Sequence, residues 1–183
     1  MDSFNSIDQI NEEQDIVIVA TDAIVRSKVL KEVIETKITK GIICEKILFQ
    51  TEKEYFEIDS LLKEKKIPAW VNCILRATDF FRNLKPLLDQ DQGIVMRVDG
   101  TDWGLACNGI HILDLFSFLS EGKDFKFTNI KFDKVIQDLK RPESKEFMGE
   151  MAGKNSLNHR LIMACGEGGN ADHFQRGLKT LGI

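Results

Sequence analysis

Cysteine, charge of one sign and long apolar runs are things this sequence has little of. Its 183 residues include four cysteines, Cys44, Cys73, Cys107 and Cys165. They stand singly, with no CxxC pair and no histidine at ligand spacing, which excludes a zinc ribbon and fits free thiols in a reducing compartment. Lys and Arg number 25 against 29 Asp and Glu, a net charge of −4. Both signs are interspersed, and mild acidity of this kind argues against a nucleic-acid surface. No apolar run is long and clean enough to span a bilayer, and residues 1–14 are polar and acidic, unlike a secretory leader. The chain reads as cytoplasmic, with no nucleic-acid and no membrane partner, and its length suits one domain or slightly more.

Two nucleotide and metal motifs are also missing. Gly149 to Lys154 reads GEMAGK, but a P-loop needs four residues between its glycines and Ser or Thr directly after the lysine, so a hairpin turn is the better reading. His111, His159 and His173 have no spacing that closes a metal site, and the latter two read as surface residues. Gly166 to Gly169 reads as a flexible turn followed by a short amphipathic helix.

What is present alternates strand and helix. Asp15 to Ala20, DIVIVA, is a β-branched run of the kind found in a parallel sheet covered on both faces. Thr21 and Asp22 offer an N-cap, and Val25, Val29 and Val33 with Leu30 and Ile34 give a helical stripe to about Thr36. Gly41 to Cys44 is a second strand, which completes a β-α-β unit and ends at Glu45-Lys46. Polar residues just past the carboxyl end of such a strand are where open α/β sheets bind ligands. Thr51 and Glu54 make a capping box for a helix facing inward through Tyr55, Ile58 and Leu62. Ile67 to Cys73 is a third strand, and Arg76 to Leu88 a third helix with Phe80, Leu84, Leu87 and Leu88 as its stripe. From Gly93 the grammar changes: a strand to Asp99, a helix, then a strand-dominated, antiparallel remainder. That remainder comprises Phe125 to Phe132 and a pair, Glu146 to Ala152 and His159 to Cys165, joined by a turn at Gly153 to Ser156.

The helix in question lies in Trp103 to Leu119, WGLACNGIHILDLFSFL. Asn108, His111 and Asp114 fall along one stripe of a segment that is otherwise apolar almost all round, so the helix is buried. Burying a carboxylate and an imidazole costs several kcal/mol unless each finds a partner. The stripe therefore either forms a satisfied core pair, His111 with Asp114, or faces a wet cavity. Trp103, just before the helix, either stacks on a ligand or packs in the core.

The succession DIVIVATD, GIICEK, TEKE, IPAWVNCILR, GLACNGIHILDLFSFL and KEFMGEMAG resembles the glucose-fructose oxidoreductase / inositol dehydrogenase (Gfo/Idh/MocA) family. The resemblance runs from about Asp15 to about Cys165. It implies an α/β, partial Rossmann-type parallel sheet in residues 1–70, followed by an α+β substrate domain on an incomplete antiparallel sheet in 71–183. It also implies an oxidoreductase that uses NAD or NADP on a sugar, nucleotide sugar or cyclitol. By the resemblance, Glu45 and Lys46 match a Glu-Lys-Pro motif, with Ile47 where the family has proline, and Thr21 and Asp22 join them at the cofactor. His111 matches the family's acid/base histidine, and imidazole titrates near neutrality, as that role requires. Lys46 polarises the reacting oxygen and Asp114 orients the ring, while Arg76, Trp103 and Asn108 fall on the substrate side. Cys107 stands where many members carry an aspartate.

The family's first strand and its G-x-G-x-x-G phosphate turn do not precede Asp15, so roughly two β-α-β units are expected to be missing. The C-terminal sheet is likewise expected to stop early. A chain of this kind is expected to be impaired or partner-dependent as an enzyme. Its unpaired strand edge favours a homo-oligomer or a complementing chain. The alternatives are a non-catalytic binding or oligomerisation module derived from such an enzyme, or an α/β domain of structural use only.

Overall fold

The computed structural model describes residues 5–36, 38–122, 124–137 and 145–166. The chain divides into two units, 1–72 and 73–183.

The first unit is built on a three-stranded parallel sheet in the order β1-β2-β3, from Val17–Val19, Ile42–Cys44 and Ala69–Val71. Helices α1 (Ala23–Thr36) and α2 (Glu52–Lys65) fill the crossovers. Val19, Ile42 and Cys44 bury one sheet face against Leu30, Val33, Ile34 and Ile58 of these helices. On the other face the paired row Ile18, Ile43 and Trp70 includes two exposed members, Ile18 at 66% and Trp70 at 54%. Among the described residues, the expected cover on both faces is therefore present on one.

Helix α2 starts as its sequence dictates. The Thr51 hydroxyl accepts the Glu54 N–H, and the Glu54 carboxylate accepts the Thr51 N–H at 3.0 Å. Lys66 closes the helix in the left-handed region, φ 57°. Ile58 is buried, whereas Tyr55 is 42% exposed and edge-on to Phe49. In α1 the buried face is Arg26, Leu30, Val33 and Ile34, not a stripe begun by Val25, which is 47% exposed. The face is rotated by one residue because Arg26 turns inward. Ser27 and Lys31 dock α1 to α2 by donating to Glu54 (2.6 Å) and Glu57 (2.7 Å).

The second unit packs α4 (Leu105–Ser120) on a four-stranded sheet, order β4-β7-β6-β5. The strands are β4 (Val95–Thr101), β5 (Phe125–Gln137), β6 (Lys145–Asn155) and β7 (Arg160–Gly166). The last three pair antiparallel, as expected, and β4 joins β7 in parallel, which makes the sheet mixed. Leu105, Phe116, Leu161, Met163 and Cys165 form the core.

Two expectations are corrected here. The helix over Arg76 to Leu88 is instead a 3-10 turn (Ile74–Ala77), a short helix α3 (Asp79–Leu84) and a second 3-10 turn (Lys85–Leu87). Extended Thr78 (ψ 144°) and Pro86, which has no N–H to give, break the run, and Phe80 and Leu87 lie outside, 70% and 79% exposed. The hairpin turn falls after Asn155, not at Gly153 to Ser156. Asn155 Oδ1 accepts the N–H groups of Leu157 (3.0 Å) and His159 (3.1 Å), an Asx-type closure. Gly153 lies within β6, paired with Leu161, and is glycine because a Cβ there would lie 2.4 Å from the Phe125 ring. The turn and helix expected after Cys165, and His173 with them, lie outside the described residues beyond Gly166.

Candidate functional site

Each unit presents its own set of the residues singled out above. In the first unit they sit where three parallel strands end. Asp22 caps α1, its Oδ1 accepting the Ile24 N–H at 3.1 Å. The Thr21 hydroxyl is buried with no hydrogen-bond partner among the described residues. After β2, the Glu45 N–H donates to Val19 O at 3.1 Å, and Glu45 Oε1 accepts from the Asn72 amide at 2.6 Å. Lys46 follows directly, and the Lys46–Ile47 peptide is cis. Asn72 is in turn fixed by its N–H to Cys44 O, 2.8 Å. The structure thus brings Thr21, Asp22, Glu45 and Lys46 to one crest at the carboxyl ends of β1 and β2, the general ligand position of open α/β sheets.

Arg26 lies beneath that crest, and the sequence reading missed it. Its side chain is 2% exposed. One guanidinium nitrogen donates to the carbonyls of Glu45 (2.7 Å), Ile47 and Leu48 (3.3 Å), and the other to that of Thr21. Its signal was available: Arg26 is four residues before Leu30 and eight before Ile34, on the face those two residues define. Beside it, burial pushes the Cys44 thiol up to about 11, with the Arg26 charge pulling the other way.

In the second unit the stripe expected on α4 forms. No residue of this helix is exposed, and Asn108, His111 and Asp114 are half-buried. Arg76, on the 3-10 turn before α3, grips the Asp114 carboxylate with Nε at 2.6 Å and with Nη2, which also reaches Asp114 O at 3.2 Å. Asn108 donates its amide to Trp103 O at 2.6 Å. The Trp103 indole N–H donates to Ala164 O at 2.8 Å, and its ring lies against Gly100, where a Cβ would come within 2.9 Å. Trp103 is thereby part of the packing between α4 and the sheet.

Glu146, also missed, caps α4 from β6. Its carboxylate accepts the N–H groups of Ala106 and Cys107 (3.2 Å). The helix begins at Gly104 (φ 76°), which offers no capping side chain, so the orphan donors find an acceptor elsewhere in the fold. His159, expected at the surface, is 1% exposed: its Nδ1 accepts the Ile94 N–H at 2.8 Å, which places the ring proton on Nε2. Among the described residues, no group of His, Cys, Asp and Glu could hold a metal ion, and no helix is long and apolar enough to cross a membrane.

No family model matches this sequence, and no curated protein matches it. Solved structures do match in fold. A dehydrogenase (MviM) from Clostridium difficile aligns with TM-score 0.69 at 13% identity over 91% of this chain and 55% of its own. The myo-inositol 2-dehydrogenase of Lactobacillus plantarum aligns with TM-score 0.65 at 16% identity, over 86% of this chain and 52% of its own. A super-repressor mutant of Gal80p from Saccharomyces cerevisiae gives 0.61 and 12%, over 85% and 50%. At these identities the likeness is one of fold: a partial Rossmann-type parallel β/α unit followed by an α+β unit. The chain spans about half the length of the solved structures it matches.

Proposed function

We propose that this chain is a member of the Gfo/Idh/MocA family and serves an NAD(P)-dependent oxidoreductase acting on a CH–OH group of a sugar, nucleotide sugar or cyclitol. The observation that carries the proposal is Glu45-Lys46 at the carboxyl end of β2, in a fold shared with an inositol dehydrogenase. The Thr21 hydroxyl on the same crest, buried and without a partner among the described residues, is a polar atom that a bound nicotinamide nucleotide would satisfy.

In this reading Thr21, Asp22 and Glu45 hold the nicotinamide end of the cofactor, which supplies a two-electron hydride acceptor. The pyrophosphate grip is not assigned to these residues. In the first unit Lys46 supplies the positive charge that the resemblance assigns to the cofactor end, and in the second His111 is the residue it assigns to take a hydroxyl proton. Asp114 orients the His111 ring, as the resemblance implies, and holds Arg76 for the substrate's hydroxyl groups, with Asn108 on the same side of the assignment.

The test is a titration with NADH and NADPH followed by nicotinamide fluorescence, beside Lys46→Ala and His111→Ala. Saturable binding that weakens about tenfold in Lys46→Ala, a loss of some 1.4 kcal/mol, is the expected result. No binding at millimolar cofactor would overturn the proposal. It would favour a second reading, a non-catalytic binding or oligomerisation module. That reading draws on the fold shared with the Gal80p super-repressor and on Cys107, which stands where the resemblance has a carboxylate.

A further inference from the structure

Arg26 is a buried cation for which the structure gives only main-chain partners. Its hydrogen bonds go to the carbonyls of Thr21, Glu45, Ile47 and Leu48, and among the described residues none goes to a carboxylate. Burying a guanidinium is unfavourable unless its donors find acceptors; here the two terminal nitrogens find them on the segments that follow β1 and β2, while Nε has no partner among the described residues. Three of the four acceptors bracket Lys46 in sequence. The guanidinium is suited to this because its planar fork spreads donors over acceptors on separate segments, which an ammonium on a flexible stem does not. A chain of contacts then runs along the crest: Thr21 to Arg26, Arg26 to Glu45, and Glu45 to Asn72 at the end of β3.

We infer that Arg26 is a positioning residue: it sets the main-chain path of the segment 45–48 and thereby aims Lys46 at the ligand. The inference rests on the proposed cofactor site for its consequence, and on the hydrogen bonds alone for its geometry. A core residue that merely filled space would carry no such donors, and an aliphatic side chain at the same helical position would serve as well.

The experiment compares the full chain with Arg26→Lys, Arg26→Gln and a control, Val33→Ala, which opens the same core away from the crest. Backbone amide exchange is followed by NMR, and the Kd for NADH by fluorescence. In both Arg26 variants the Glu45 amide, bonded to Val19 O, should exchange at least about tenfold faster, as should its neighbours to Leu48. The Leu30 and Ile42 amides should keep their wild-type rates. Val33→Ala should give the opposite pattern. The Kd for NADH should rise about tenfold in Arg26→Lys, with no further rise when Lys46→Ala is added to it.

Unchanged exchange at Glu45 to Leu48 would overturn the inference. So would exchange accelerated evenly through the first unit, or loss of that unit's fold in both Arg26 variants, since each makes Arg26 a core residue only. If wild-type protein binds no NADH, the proposed function fails while the exchange arm still decides whether Arg26 shapes this segment.

Discussion

The two units hold their arginines in opposite ways. In the first, Arg26 is almost fully buried and bonded to carbonyl oxygens of the main chain; in the second, Arg76 is half-exposed and bonded to the side chain of Asp114. The first arrangement fixes where a segment of backbone goes, and the side chains on that segment follow. The second fixes one side chain on a helix whose path the core already determines. Candidate residues in the first unit therefore depend on a distant-looking charge, whereas those in the second depend on α4 packing against its sheet.

That contrast orders the effects of substitution. Arg26→Met strands several buried carbonyl groups and should lower the stability of the first unit by about 3 kcal/mol or more. Urea unfolding in a Trp103→Phe background, which leaves Trp70 as the reporter in the first unit, measures it. A loss under 1 kcal/mol would erase the contrast.

The next effect is smaller and depends on pH. The Cys44 thiol is pushed up to about 11 in the folded chain from an ordinary value near 9. The folded state therefore holds its proton more tightly than the unfolded state between these values, and stability from this group is complete below pH ~9 and falls as pH rises toward ~11. The full difference is roughly 2–3 kcal/mol. Comparing Cys44→Ala with wild type across that range isolates it, and equal slopes for the two proteins would remove Cys44 from the account.

Smallest is Asp114→Asn. The pair with Arg76 is partly exposed, 20% for Asp114 and 44% for Arg76, so its loss should cost about 1 kcal/mol or less. If Asp114→Asn destabilises its unit more than Arg26→Met destabilises the other, the comparison is the wrong way round.

The sequence was readable where side-chain periodicity carries the information. The strands within Asp15 to Ala20 and Gly41 to Cys44, the Thr51–Glu54 capping box and the polar stripe of α4 all follow from spacing and propensity, and all three are present. It was unreadable where main-chain polar groups decide. Arg26 looks like a surface charge until Leu30 and Ile34 are taken as the reference for its face. Glu146 cannot be linked to α4 from 40 residues away without the β6 register that delivers it. Gly153 reads as a turn because its reason for being glycine, the ring of Phe125 passing over it, is a tertiary contact. The break at Thr78 and Pro86 was the one local signal that the helical stripe of Phe80 and Leu87 overrode.

The central claim is that the crest formed by Thr21, Asp22 and the segment 45–48 is a nicotinamide-nucleotide site. It is tested most directly by adding NADH to uniformly 15N-labelled protein and mapping the amide shifts. The account predicts saturable perturbations at Thr21, Asp22 and Glu45 to Leu48, lost in Lys46→Ala. Saturable perturbations confined to other residues, or none at millimolar NADH, would contradict it.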